Sequence, residues 1–155
     1  MEKENNLAAF QPDEIDLKIM QLLSKNGKLG NKEIAHEIGL SVSPTFERVK
    51  RLERNGAIEG YKAIINKKSI GKGLQVFCNV SLKAHNLDLI EAFEDQIVHI
   101  EEVAKCYHLA GNFDYSLLVE VPDIDSYQDF LKQKLASIPN IANVQSSFVL
   151  SLIKK

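Results

Sequence analysis

Residues 31–55 read NKEIAHEIGLSVSPTFERVKRLERN, and two helices joined by a tight turn are written into them. Ile34, Ala35 and Ile38 share one face of a short helix that Asn31 can cap and Gly39 stops. The connection Gly39-Leu40-Ser41-Val42 follows. A longer helix then begins within Ser41 to Pro44, since Ser41 or Ser43 can cap it and Pro44 is tolerated only in a first turn. It runs to Asn55-Gly56. At about 100° per residue, Phe46, Val49 and Leu52 share a face with Val42, while Glu47, Arg51 and Arg54 point away, flanked by Pro44, Arg48 and Lys50.

Upstream, Pro12-Asp13-Glu14 opens another helix: Asp13 can cap it, acids crowd the first turn, and Ile15, Ile19, Leu22 and Leu23 recur at helical spacing before Gly27. Three helices with this turn predict a helix-turn-helix whose last helix enters the major groove of double-stranded DNA. The candidate DNA contacts are Ser41, Ser43, Pro44, Thr45, Glu47, Arg48, Lys50, Arg51 and Arg54, with the three arginines expected to supply affinity. The plainer alternative is a three-helix cluster whose arginine face is merely solvated.

Downstream, 57–65 predicts a β hairpin or wing bending near Gly60-Tyr61, and the basic, glycine-containing stretch 66–73 a linker. From Leu74 the period changes to two: Val76, Cys78, Val80 and Leu82 alternate along a strand. A helix bearing Leu87, Ile90, Phe93 and Ile97 follows, then strands over 103–109 and 115–121, a helix bearing Tyr127, Phe130, Leu131 and Leu135, and a strand from about Ile141 to Ile153. The order βαββαβ is that of a ferredoxin-like, four-stranded antiparallel sheet with two helices on one face. The expected fold is thus α+β, with a DNA-binding domain over 1–65, a linker over 66–73 and a second domain over 74–155. Two helices leave one sheet face bare, with Phe77, Leu118 and Val149 on it, and a second copy is its simplest cover, which predicts a homodimer.

The chain of 155 residues is long enough to bury a core without staples. Its apolar runs reach only Leu7 to Phe10, far short of the roughly 20 residues of a membrane helix, and its first residues form no signal peptide, so a cytoplasmic protein without membrane contact is expected. Cys78 and Cys106 lack C-x-x-C spacing and read as reduced thiols. The net charge of −2 hides an asymmetry: residues 28–72 carry ten Lys and Arg against five Glu, and residues 73–155 six Lys against eleven acids. A polyanion meeting the first half, and something else meeting the second, fits that division.

Gly111-Asn112-Phe113-Asp114-Tyr115 breaks the chain between two strands. A glycine-hinged turn that exposes backbone N–H groups beside one carboxylate suits the two charged ends of an amino acid; a mere hairpin turn is the bland reading. No two of His36, His85, His99 and His108 stand at ligand spacing, and no phosphate-loop, dinucleotide, nucleophile-elbow or zincin motif occurs. No metal, cofactor or catalytic residue is therefore expected.

Taken together, these motifs resemble the Lrp/AsnC (leucine-responsive, "feast/famine") transcription regulators. The likeness rests on Asp13 to Leu23 with Asp16, on Ile34-Ala35, on Gly39 to Pro44, on Arg48 to Glu53 with Gly56-Ala57-Ile58 and Gly60-Tyr61, and on Ala110 to Tyr115. It implies a winged helix-turn-helix, a ferredoxin-like effector domain that dimerises and commonly builds octamers, and a free amino acid as effector, bound between dimers near the turn. The effector residues so implied are Gly111, Asn112, Phe113, Asp114, Tyr115, Ser146 and Ser147. This chain has Asn112 where the family often has Asp, Pro12 for an opening Leu, and Ser146-Ser147 where Thr is common. An architectural, effector-insensitive DNA-binding protein is the alternative.

Overall fold

In the computed structural model, residues 10–154 are described, so the start of the Leu7–Phe10 run, residues 1–9 of the DNA-binding domain and Lys155 lie outside the described residues. The chain divides into two compact units, Met1–Ile64 and Ile65–Lys155.

In the first unit, α1 (Glu14–Lys25) starts on a reciprocal cap: Asp16 N–H donates to the Asp13 side chain at 2.9 Å, and Asp13 N–H to the Asp16 side chain at 3.1 Å. The second helix, α2 (Asn31–Ile38), is not capped by Asn31 as expected. Glu33 reaches back instead to accept the Gly30 N–H at 2.8 Å, which makes Asn31 the first helical residue. Gly39, at φ 72°, stops α2 in the left-handed conformation that glycine adopts most easily. The third helix, α3 (Val42–Arg54), closes the core with Val49 and Leu52 against Ile19, Leu23 and Ile34.

Two expectations for this unit need correction. The buried face of α3 is Thr45, Val49 and Leu52, whereas Val42 and Phe46 are 47% and 41% exposed. The helix is rotated so that Arg48 and Arg51 turn towards α1, because acids wait for them there. Second, no strand forms over 57–65. Ala57 and Ile58 pack on the helices and the Tyr61 hydroxyl donates to Glu53 at 3.0 Å, but Ile64 is left 91% exposed. A strand needs a partner, and this stretch has none among the described residues.

The second unit begins with a 3₁₀ turn, Lys67–Ile70, inside the stretch read as linker; Asn66 caps it and Lys67 reaches the buried Glu120 at 2.7 Å. Then come β1 (Leu74–Leu82), α4 (Leu87–Ile97), β2 (Val103–His108), β3 (Tyr115–Val121), α5 (Ile124–Asp129) and β4 (Ile141–Phe148). Between α5 and β4 the helix widens into a π turn, Phe130–Lys134, and tightens into a 3₁₀ turn, Leu135–Ser137. The sheet order is β2-β3-β1-β4, antiparallel throughout, which is the ferredoxin-like α+β arrangement.

Alternation places Val76, Cys78, Val80 and Leu82 of β1 beside Tyr115, Leu117, Val119 and Val121 of β3 on one face, buried with Phe93, Ile97, Tyr127, Phe130 and Leu135 of the helical layer. The opposite face carries Phe77, Tyr107 and Leu118, with Phe77 42% and Tyr107 45% exposed. The fourth strand stops at Phe148 rather than near Ile153. Val149 N–H still donates to the Gln75 carbonyl at 3.0 Å, but β1 begins at Leu74 and offers nothing further to pair with.

Candidate DNA-binding and effector sites

The exposed side of α3 is a stripe at helical spacing: Ser43, Glu47, Lys50 and Arg54, with Pro44 at its edge. Ser41 is exposed at the N-terminus of α3, while Thr45 is buried and its hydroxyl donates to the Ser41 carbonyl at 2.9 Å. Arg48 and Arg51 do not point away. Arg48 Nη1 lies 2.6 Å from Asp13 Oδ2 and 2.8 Å from Asp16 Oδ1, and Arg51 Nη2 lies 2.6 Å from Asp16 Oδ2. Asp16 is fully buried. The amide of Asp16 and then the Arg48 guanidinium hold the Asp13 carboxyl below its ordinary range. Arg51 also stacks under the ring of Phe10 at 5.4 Å.

The remaining cations of α3 differ from these. Lys50 pairs with Glu53 at 2.8 Å on the surface and lies over the Phe46 ring, and Arg54 has no ion pair among the described residues. Sequence reasoning missed Asp13 and Asp16 as the partners of Arg48 and Arg51. The signal was two acids three apart at the start of α1, which also read as an ordinary acidic first turn.

In the second unit, the turn 111–115 lies at the end of the sheet where β1 and β3 meet. Gly111 and Asn112 are exposed, Phe113 is half-buried, and Tyr115 is buried with its hydroxyl donating to Glu94 at 2.6 Å. Burial, and then that carboxylate, push the Tyr115 phenol well up. Asp114 is already engaged: Oδ2 accepts the Leu82 N–H at 2.7 Å and Oδ1 lies 2.8 Å from His85 Nε2. The Leu82 amide foremost, and the His85 contact after it, hold the Asp114 carboxyl below its usual range. A Cβ on Gly111 would meet nothing within 4 Å, and its φ is not positive, so the backbone itself does not demand glycine there.

Ser146 and Ser147 do not join that turn. Opposite Cys78, Ser146 is on the helical side, hydrogen-bonded to the Tyr127 hydroxyl at 2.5 Å; Ser147, opposite Phe77, is on the open face. Sequence reasoning also missed His85, 29 residues from Asp114, and His108, whose ring stacks on Tyr115 at 4.6 Å.

Because Asp114 is more acidic in the folded chain than in the unfolded one, it adds stability that is present above about pH 3.9 and fades as pH falls through its lowered value. Unfolding of the Asp114→Asn variant across pH should therefore show a deficit against wild type at neutral pH that closes in acid; a constant deficit would deny the carboxylate this role.

A helix-turn-helix joined to a four-stranded α+β unit has the two parts of a DNA-binding regulator with a sensory half. Comparison with known proteins agrees. Residues 12–59 match the profile described as winged helix-turn-helix DNA-binding, and residues 75–155 match the Lrp/AsnC ligand binding domain. The Bkd operon transcriptional regulator of Pseudomonas aeruginosa is 38% identical over 141 residues, covering 91% of this chain and 92% of its own. The leucine-responsive regulatory protein of Escherichia coli K12 is 35% identical over 143 residues, covering 92% and 87%. A transcriptional regulator from Neisseria meningitidis, solved in complex with L-methionine, superposes with a TM-score of 0.89 at 36% identity over 94% of each chain. The chain belongs to the Lrp/AsnC family of transcriptional regulators. Among the described residues no helix is long and apolar enough to cross a membrane.

Proposed function

We propose that this chain binds specific DNA sites through the stripe Ser43, Glu47, Lys50 and Arg54, and that its second unit adjusts that binding to a free amino acid held at the 111–115 turn between two dimers. The observation that carries the reading is the division of labour on α3. An exposed pair such as Lys50–Glu53 is worth only about 0–1 kcal/mol, so Lys50 can exchange its partner for a phosphate at little cost. Asp16 is fully buried, so taking either guanidinium from it leaves a buried carboxylate short of a partner, and Arg48 and Arg51 therefore stay with Asp16 and set the angle of the helix. Replacing Lys50 and Arg54 together by Ala should weaken DNA binding and reduce the salt slope by about two units if both meet phosphates. Unchanged binding by the folded variant overturns the assignment.

The methionine held by the Neisseria relative supports an amino-acid effector here. With the oxygens of Asp114 engaged inside its own unit, an incoming ammonium shares a carboxylate already fixed in position. Calorimetry with the amino acids on wild type and Asp114→Ala tests this: equal binding to both removes Asp114 from the site. The bare sheet face with Phe77, Tyr107 and Leu118 supports a homodimer, a unit from which an octamer can be built; the DNA it is assigned to bind places its work in the cytoplasm. Light scattering from the full chain should find a dimer or larger, and a monomer at micromolar concentration refutes it. Footprints at discrete sites separate this reading from an architectural role, which would protect DNA without preference.

A further inference from the structure

A cleft of about 560 Å³ opens between the π and 3₁₀ turns that follow α5 and the strand β4. Its floor is aliphatic, formed by Leu131, Leu135, Ile138, Ile141 and Val144, and Ser146 and Asn143 add neutral polar groups. Lys83 is the one charged residue of the lining; it is exposed and has no ion pair among the described residues. No Asp or Glu lines the cleft. The volume is that of a small-ligand site, and its lining mixes aliphatic side chains with neutral polar groups, Ser137 and Asn140 among them, around a single cation. An aliphatic chain with one anionic head satisfies this lining. An amino acid is matched less well, since the lining offers its ammonium no carboxylate.

The loop that carries Lys83 is clamped from two sides. The Asn140 carbonyl accepts the Lys83 N–H at 2.8 Å, and its side chain accepts the Ala84 N–H at 3.0 Å and donates to the Ala84 carbonyl at 2.9 Å. From the other side, Asp114 takes the Leu82 N–H and His85. A ligand that draws Lys83 towards the cleft therefore pulls on the same short loop that steadies the 111–115 turn.

We propose that this cleft is a second small-molecule site, distinct from the 111–115 turn, and that it takes short branched aliphatic monocarboxylates lacking an amino group, with Lys83 meeting the carboxylate. The inference rests on the second unit alone and stands whether or not an amino acid binds the turn.

Calorimetry of the full chain with isocaproate and with leucine, the same carbon skeleton bearing an amine, provides the test. Wild type should bind isocaproate, Lys83→Ala should weaken it about tenfold, and Lys83→Arg, which keeps the cation, should largely restore it. Any leucine binding should be unchanged in Lys83→Ala. Isocaproate should still bind wild type in the presence of excess leucine, which separates this site from the effector reading. No isocaproate binding to wild type at millimolar concentration, equal binding to Lys83→Ala, or a parallel loss of leucine binding would each overturn the proposal.

Discussion

Replacing Asp16 with Ala is expected to destabilise the helix-turn-helix by about 3 kcal/mol, the lower end of the range for a broken buried ion pair, because Arg48 and Arg51 keep some access to water. The carboxylate is fully buried and serves three groups at once: the guanidinium groups of Arg48 and Arg51 and the N–H of Asp13 that opens α1. Without it, two neighbouring cations of α3 face α1 with only Asp13 left to meet them, and α1 loses half of its cap. Denaturant unfolding of the full chain, followed at a probe in the first unit, measures the loss. DNA affinity should fall with it even though Asp16 touches no DNA, since α3 loses the strut that sets its angle. A variant with wild-type stability would mean that the arginines are adequately solvated alone.

The second large effect is expected from Phe93→Ala, at about 3–5 kcal/mol for removing a buried aromatic ring. Phe93 is 1% exposed, on the face of α4 that seals the sheet, and its ring centroid lies 4.6 Å from that of Tyr115. Such pairs add about 0.5–1.5 kcal/mol to the burial itself. Tyr115 directly follows Asp114, so the cavity opens beneath the turn assigned to the effector. Thermal unfolding should shift strongly downwards, and amide exchange at residues 111–116 should quicken more than at β4. Uniform quickening would show that the ring supports the core without any special hold on the turn.

Much of this architecture was legible because burial imposes a period. The even positions of β1 and the spacing of Ile19, Leu23, Ile34, Val49 and Leu52 announce a sheet and a helical cluster without knowledge of any contact. Periodicity does not distinguish an arginine in water from one paired with a buried acid. Arg48 and Arg51 were misplaced for that reason, since the residue that turns α3 is Asp16, more than thirty positions away. The clamp on the loop 82–86 was invisible for a similar cause: Asp114 and Asn140 reach it across 29 and 56 residues. The failed hairpin at 57–65 is of another kind. Its apolar residues are present, but a strand is a relation between two segments, and no described segment pairs with this one.

The π turn at Phe130–Lys134 closes hydrogen bonds over five residues where an α-helix closes them over four, so the chain spends one residue more than a regular helix would need to bring Leu135 onto the core beside Phe130. That surplus makes it the point in the second unit where the length of the polypeptide can change by one with least disturbance. A deletion there tightens the helix to its ordinary pitch, whereas the same deletion in β4 would send every following side chain to the opposite face of the sheet. In an alignment of related chains, a one-residue gap near 132 would mark a difference of helical winding and not of fold.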